Sequence, residues 1–184
     1  LKDTRLSFVM LKTKKFKFFL FIFFLLIITV LLLSLKVNTL QLVDYKKNNI
    51  FWQEKAVENA VFKISYIHSV ERTPVIEIFK IKQGKIILTG TEYESYGAGL
   101  PTTAITGEYV VKNDKFFLKD INQFLPDIML RVSDYAQHEF IYQDQVYELY
   151  KKIPTETLVQ IRTKQVSYFN YYQKEVKKWL KKNI

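Results

Sequence analysis

The spacing of hydrophobic and polar residues divides this chain into three kinds of segment. From Phe18 to Leu35, within KKFKFFLFIFFLLIITVLLLSLK, no residue is charged and only Thr29 and Ser34 are polar. A helix of that length spans roughly 27 Å at about 1.5 Å per residue, close to the thickness of a hydrocarbon core. After Lys36 the pattern becomes short runs of β-branched and aromatic residues, period two, separated by turn residues. The last stretch, YFNYYQKEVKKWLKKNI, returns to helical spacing. It sets Phe169, Tyr172, Val176, Trp179 and Leu180 on one stripe and Lys174, Lys177, Lys178 and Lys181 around the rest.

The strand-like runs are read as follows. TLQLVDY alternates Leu40, Leu42 and Asp44 against Thr39, Gln41 and Val43. VFKISYIHS puts Phe62, Ile64, Tyr66 and His68 on one face, and PVIEIFKI puts Val75, Glu77, Phe79 and Ile81 on one face. A turn at Gln83-Gly84 predicts a hairpin into GKIILTGTEY, and Asn113-Asp114 predicts a second within EYVVKNDKFFLKD. DIMLRVS, HEFIYQDQVYELY and TLVQIRTKQV complete the set. No helical pattern alternates with these strands, so a parallel βαβ sheet is disfavoured. The expected fold is mainly β: a small antiparallel sandwich or barrel outside the membrane, after one N-terminal transmembrane helix and before a C-terminal amphipathic helix. The expected segments are a basic cytoplasmic N-terminus over 1–17, an anchor over 18–36, a β domain over 37–166 and the basic helix over 167–184. That helix either lies on a membrane surface, docks on a partner or packs on its own domain.

Charge sharpens this division. The formal net charge is +10, yet residues 37–172 carry as many acidic as basic side chains. The excess sits beside the apolar segment and in the last twelve residues, not on the folded module, which argues against nucleic acid as a partner. Lys12, Lys14, Lys15 and Lys17 precede the apolar run and Lys36 closes it, so the N-terminus is expected in the cytoplasm and the β domain outside the cell membrane. No A-x-A-like site follows Leu35, which favours an uncleaved anchor over a cleaved signal peptide. MLKTKKFKFF from Met10 reads as a natural start, and residues 1–9 are assigned no function. Cysteine is absent, removing disulfides, thiolate nucleophiles and Cys-type zinc sites.

Two polar clusters interrupt the strand pattern. The first is His68, Ser69, Glu71, Arg72 and Thr73. The second lies in TEYESYGAGLPTTAITG, where Gly97 and Gly99 before Pro101 mark a sharp turn whose N–H groups form a candidate anion nest. This is neither a dinucleotide fingerprint nor a P-loop, since it lacks the third glycine of one and the Gly-Lys of the other. His68 has three readings. As a metal ligand it has only His138 and scattered carboxylates for company. As a base for Ser69 or Ser95 it lacks a G-x-S-x-G elbow. As a structural residue it ties a hairpin together with Arg72 and Glu77.

YIHSVERTPVIEIF, followed thirteen residues on by YESYGAGLP, resembles an uncharacterised bacterial family, domain of unknown function 1850, and the likeness runs from about Val37 to Val166. The resemblance implies no activity. It implies proximity to tripartite TRAP transporters of the TAXI type, which pair a soluble solute-binding protein with a membrane permease and carry small organic anions. It also makes His68, Ser69, Arg72, Thr73 and Glu77 one binding motif and Ser95, Tyr96, Gly97, Gly99 and Pro101 the other.

Two functions are therefore expected to compete. One is a non-enzymatic, single-pass accessory whose outer domain binds a TRAP permease, its solute-binding protein or a small organic anion, with Arg72 holding a carboxylate. The other is an extracytoplasmic enzyme acting on a small acid or envelope substrate through His68, Arg72 and Glu77. With no cysteine, two histidines and no catalytic motif, the accessory is favoured, with no catalytic residue, cofactor or metal assigned.

Overall fold

The computed structural model describes residues 2–95, 107–113 and 115–183. The chain divides into two compact units, Asn38–Lys164 and a second formed by Leu1–Val37 with Gln165–Ile184.

In the second unit, α1 (Lys2–Ser34) contains the apolar segment Lys15–Ser34, which is long and apolar enough to cross a membrane and has no part buried against protein. The one threonine of the segment Lys15–Ser34, Thr29, donates its hydroxyl to Leu25 O at 2.8 Å, so this polar group is satisfied inside the helix. The C-terminal helix is α3 (Tyr168–Asn183), capped by the Ser167 hydroxyl, which accepts the Asn170 N–H at 3.3 Å.

The other unit is mainly β. Its first sheet holds β1 (Lys36–Asp44), β2 (Ile50–Lys55), β8 (Ile128–Arg131) and β11 (Leu158–Ser167), in the order β2-β1-β11-β8. The second holds β3 (Val61–Ile67), β4 (Pro74–Lys82), β5 (Lys85–Tyr93), β6 (Glu108–Lys112), β7 (Lys115–Leu125), β9 (Glu139–Tyr142) and β10 (Gln145–Glu148), in the order β10-β9-β3-β4-β5-β7-β6. Both sheets are antiparallel. The run predicted as continuous strand over residues 138–150 breaks at a turn, where Gln143 and Asp144 take positive φ, and ends in the short helix α2 (Leu149–Lys152).

Alternation explains how the sheets meet. Phe62 and Ile64 of β3 and Val75, Phe79 and Ile81 of β4 are buried, while the residues between them are less so. Phe62 stacks on Phe79 with ring centroids 5.0 Å apart. From the facing sheet, Leu40, Leu42, Val159 and Ile161 enter the same core. Trp52 of β2 completes the contact, edge-on to Phe140 at 5.0 Å and to Tyr142 at 5.4 Å. Such aromatic pairs each contribute about 0.5–1.5 kcal/mol beyond their buried area.

β1 is unusual in burying both faces. Thr39 and Gln41, expected on a polar face, are 0% and 1% exposed. Their polar atoms are paired: Thr39 Oγ1 donates to Lys164 O at 2.9 Å, and Gln41 Nε2 donates to Thr39 Oγ1 and Gln53 Oε1, both at 3.0 Å. Arg162 Nε donates to Gln41 Oε1 at 3.3 Å. Arg162 has only donors, so its bond fixes which end of the Gln41 amide is oxygen.

Two glycines are needed for different reasons. Gln83 and Gly84 both take positive φ, as a two-residue hairpin turn between Lys82 and Lys85 requires. Gly107 has φ +94°, and a Cβ there would lie 2.0 Å from Lys119 O, whereas one at Gly84 meets only the movable Asn38 amide at 3.0 Å. Gly107→Ala is therefore expected to lower stability by about 2 kcal/mol or more, and Gly84→Ala by about 1 kcal/mol. Chemical denaturation of the purified full chain in detergent, followed by tryptophan fluorescence, checks the ranking.

Candidate functional site

The strand β3 does not continue through His68, as its alternation predicted; it ends at Ile67, and residues 68–73 turn back into β4. His68 N donates to Thr73 O at 2.9 Å and Arg72 N donates to His68 O at 3.0 Å. The imidazole holds the same turn from within. Its Nδ1 accepts the N–H of Glu71 at 3.2 Å and of Val70 at 3.4 Å. An accepting Nδ1 needs its lone pair, which places the proton of the neutral ring on Nε2. Arg72 adopts φ +61°, a left-handed conformation that costs a non-glycine residue about 1 kcal/mol or more.

A second loop stands beside this one. Ile67 N donates to Ala136 O at 2.7 Å, and Ser133 Oγ accepts the N–H groups of Tyr135 and Ala136. The Tyr135 ring thereby comes under the Arg72 guanidinium, 4.1 Å from its centroid, and the Tyr135 hydroxyl donates to Ser69 O at 3.3 Å. This is a cation–π contact closed by a hydrogen bond back to the same turn. Val70, in the turn between them, is 63% exposed, and Tyr135 is 46% exposed. Among the described residues the Arg72 guanidinium makes no hydrogen bond or ion pair, so its donor fork stays open.

The two motifs meet through their strands. Val75 pairs with Tyr93 across β4 and β5, and two residues further on Thr73 comes opposite Ser95. Their hydroxyls are 3.1 Å apart, and Ser95 Oγ donates to Glu71 Oε2 at 3.3 Å. Tyr96, Gly97, Gly99 and Pro101 lie outside the described residues.

Glu77 is the acid in an otherwise apolar row, between Val75 and Phe79 on the face of β4 that builds the core. Burial pushes its carboxyl above the usual carboxylate range. Tyr66, beside it on β3, is pushed up to about 12, first by burial and then by the Glu77 charge. Its ring lies 5.8 Å from that of His138, which is 8% exposed. Burial holds His138 below the ordinary imidazole value, while its Nδ1 accepts the Ser133 N–H at 3.3 Å.

Of the residues expected to form a site, the structure brings together Thr73 and Ser95, and sets Ser69 and Arg72 on one exposed turn with His68 as its internal support. Among the described residues no side-chain hydrogen bond or ion pair joins His68, Arg72 and Glu77 to one another; the bond between Arg72 N and His68 O is one of backbone alone. Tyr135, Tyr66 and His138 were not expected there. Tyr135 is 66 residues from its Ser69 partner, and no local pattern announces such a contact. Glu71 belongs to the first polar cluster, and the spacing gives no sign that its carboxylate accepts from Ser95. Among the described residues no group of three His, Cys, Asp or Glu is placed to hold a metal ion.

Residues 62–149 match a family described as Domain of unknown function (DUF1850). The match begins in β3 and ends at Leu149, taking in every strand of the seven-stranded sheet and leaving β1, β2 and β11 outside it. No curated protein and no solved structure matches the chain.

The raised Glu77 carboxyl has a measurable consequence. A carboxyl whose folded-state pKa exceeds its unfolded value stabilises the fold below that unfolded value, near 4.5, and the contribution is lost as pH rises through the folded value. Glu77→Gln keeps the shape and removes the charge. Denaturation midpoints of variant and wild type should coincide at acid pH and separate towards neutrality, with the variant the more stable; equal midpoints at every pH would contradict the burial argument.

Proposed function

We propose that this chain, which carries a DUF1850 domain over residues 62–149, is a membrane-anchored, non-enzymatic accessory protein that docks a transporter component through its Arg72–Tyr135 surface. The anchor is the apolar segment Lys15–Ser34, with the lysines before it on the cytoplasmic side and the β domain outside the cell. The partner is a permease or solute-binding protein of a TAXI-type TRAP transporter of small organic anions. What supports that partner is the resemblance of the two motifs alone, for the matched family's description names no partner.

The docking part rests on one observation: an arginine held in a left-handed backbone, stacked on an exposed tyrosine, with no hydrogen-bond partner for its fork among the described residues. Arg and Tyr are the side chains that most often carry interface energy, and an open guanidinium pairs with a carboxylate bidentately. The His68 cap and the Tyr135 hydroxyl hold the turn before any partner arrives, which lowers the entropy cost of binding. Val70 adds an apolar contact at the same place.

Glu77 favours a second reading, an enzyme acting on a small acid. A half-buried carboxyl with a raised pKa beside a tyrosine is a feature of acid–base sites. Yet Glu77 is not joined to His68 or Arg72, and Ser95 has a carboxylate and a threonine for neighbours rather than an imidazole.

A photo-crosslinking residue at Val70 in the full-length protein, in its own membranes, tests the docking surface. Wild type should yield an adduct with a transporter permease or solute-binding protein. Arg72→Gly should lose most of it, by tenfold or more, with an unchanged or slightly raised melting temperature, since glycine suits the positive φ at that position. Recovery of no transporter component from the wild type would overturn the accessory reading.

A further inference from the structure

α3 carries an exposed apolar stripe. Phe169, Tyr172, Val176 and Leu180 fall on one side by helical spacing, and they are 45%, 47%, 54% and 41% exposed. Tyr171 is the buried residue of this helix, 5% exposed, and its position in the helical turn is well away from the stripe. Gln173 and Lys177 border the stripe in a shallow groove. Around the remaining circumference the sequence places Lys174, Lys178, Lys181 and Lys182, and residues 173–184 hold five lysines against the single acid Glu175.

The start of this helix is fixed within its own unit. Tyr168 N donates to Leu35 O at 2.8 Å, and Leu35 directly follows the apolar segment Lys15–Ser34. If that segment crosses a bilayer, Leu35 lies at the boundary between acyl chains and headgroups. Tyr168, one hydrogen bond away, lies there too. A basic helix with an exposed apolar stripe then begins at the depth where such helices rest.

We propose that α3 is an interfacial helix that lies in the surface of an anionic phospholipid bilayer, with Phe169, Tyr172, Val176 and Leu180 among the upper acyl chains and its lysines at the headgroups. The occupant is a lipid surface, not a second protein, because the helix starts at the membrane end of α1 and its sequence is rich in lysine. The inference rests on reading α1 as a membrane span, and the test separates the two.

The chain has no cysteine, so single spin labels can be placed without altering anything else. Full-length protein carrying a label at Leu26→Cys, Val176→Cys or Lys174→Cys is reconstituted into vesicles of phosphatidylcholine with one quarter phosphatidylglycerol, and into phosphatidylcholine alone. Collision rates with oxygen and with a water-soluble nickel chelate then report depth. The Leu26 label should lie deep in both vesicles. The Val176 label should favour oxygen, at about 5–10 Å below the phosphates, while the Lys174 label favours nickel. Removing the anionic lipid should cut the oxygen-to-nickel ratio at Val176 severalfold and leave Leu26 unchanged. A nickel-accessible Val176 with a deep Leu26 would overturn the interfacial helix alone, as would a Val176 label shielded from both reagents. A nickel-accessible Leu26 would overturn the anchor and the proposal with it.

Discussion

The pairing of β4 with β5 is the constraint on which the polar end of the molecule depends. The turn at Gln83 and Gly84 sets the register for Phe79 to Lys82, and a bulge then inserts Thr89 into β5. The Thr89 hydroxyl donates to Ile78 O at 3.0 Å, which stitches the bulge to the partner strand. Beyond it every pairing is displaced by one residue, so Tyr93 comes opposite Val75 and Ser95 opposite Thr73. Without the extra residue the second motif would be out of step with the first, and side chains that now share a face would point apart.

The same register leaves Glu77 in the row of core residues. An acid there is costly, and the fold answers by raising its proton affinity and not by giving it a cation. The exposed turn follows the opposite policy. His68 spends its Nδ1 on two backbone N–H groups, Tyr135 spends its hydroxyl on Ser69 O, and the charge of Arg72 stays outside. A rigid turn and an open guanidinium are compatible with recognition. A histidine with one nitrogen committed to its own loop is poorly suited to be a general base through that atom.

Much of the fold was readable from spacing. The apolar helix, the hairpins at Gln83-Gly84 and Asn113, and the inward rows Phe62/Ile64 and Val75/Phe79/Ile81 all follow from period and turn chemistry. What escaped was what periodicity does not carry. β2 was missed because IFWQEK has one strong inward residue, Trp52, and its role comes from aromatic partners on β9 and β10. His68 kept strand parity with Tyr66, yet its side chain was better used closing a turn. The Thr73–Ser95 contact needed the bulge at Thr89, and the Arg72–Tyr135 contact needed two loops to be adjacent in space.

The chain enters the β unit on β1 and leaves it on β11, and those strands are neighbours. Near the two ends of the unit, Thr39 and Lys164 are joined by a hydrogen bond of 2.9 Å. A domain whose ends lie side by side is a closed cassette: whatever precedes and follows it can be exchanged without unpicking its sheets. Swapping α1 for another span, or grafting Asn38–Lys164 into a surface loop of an unrelated host, leaves every strand pairing inside the unit intact.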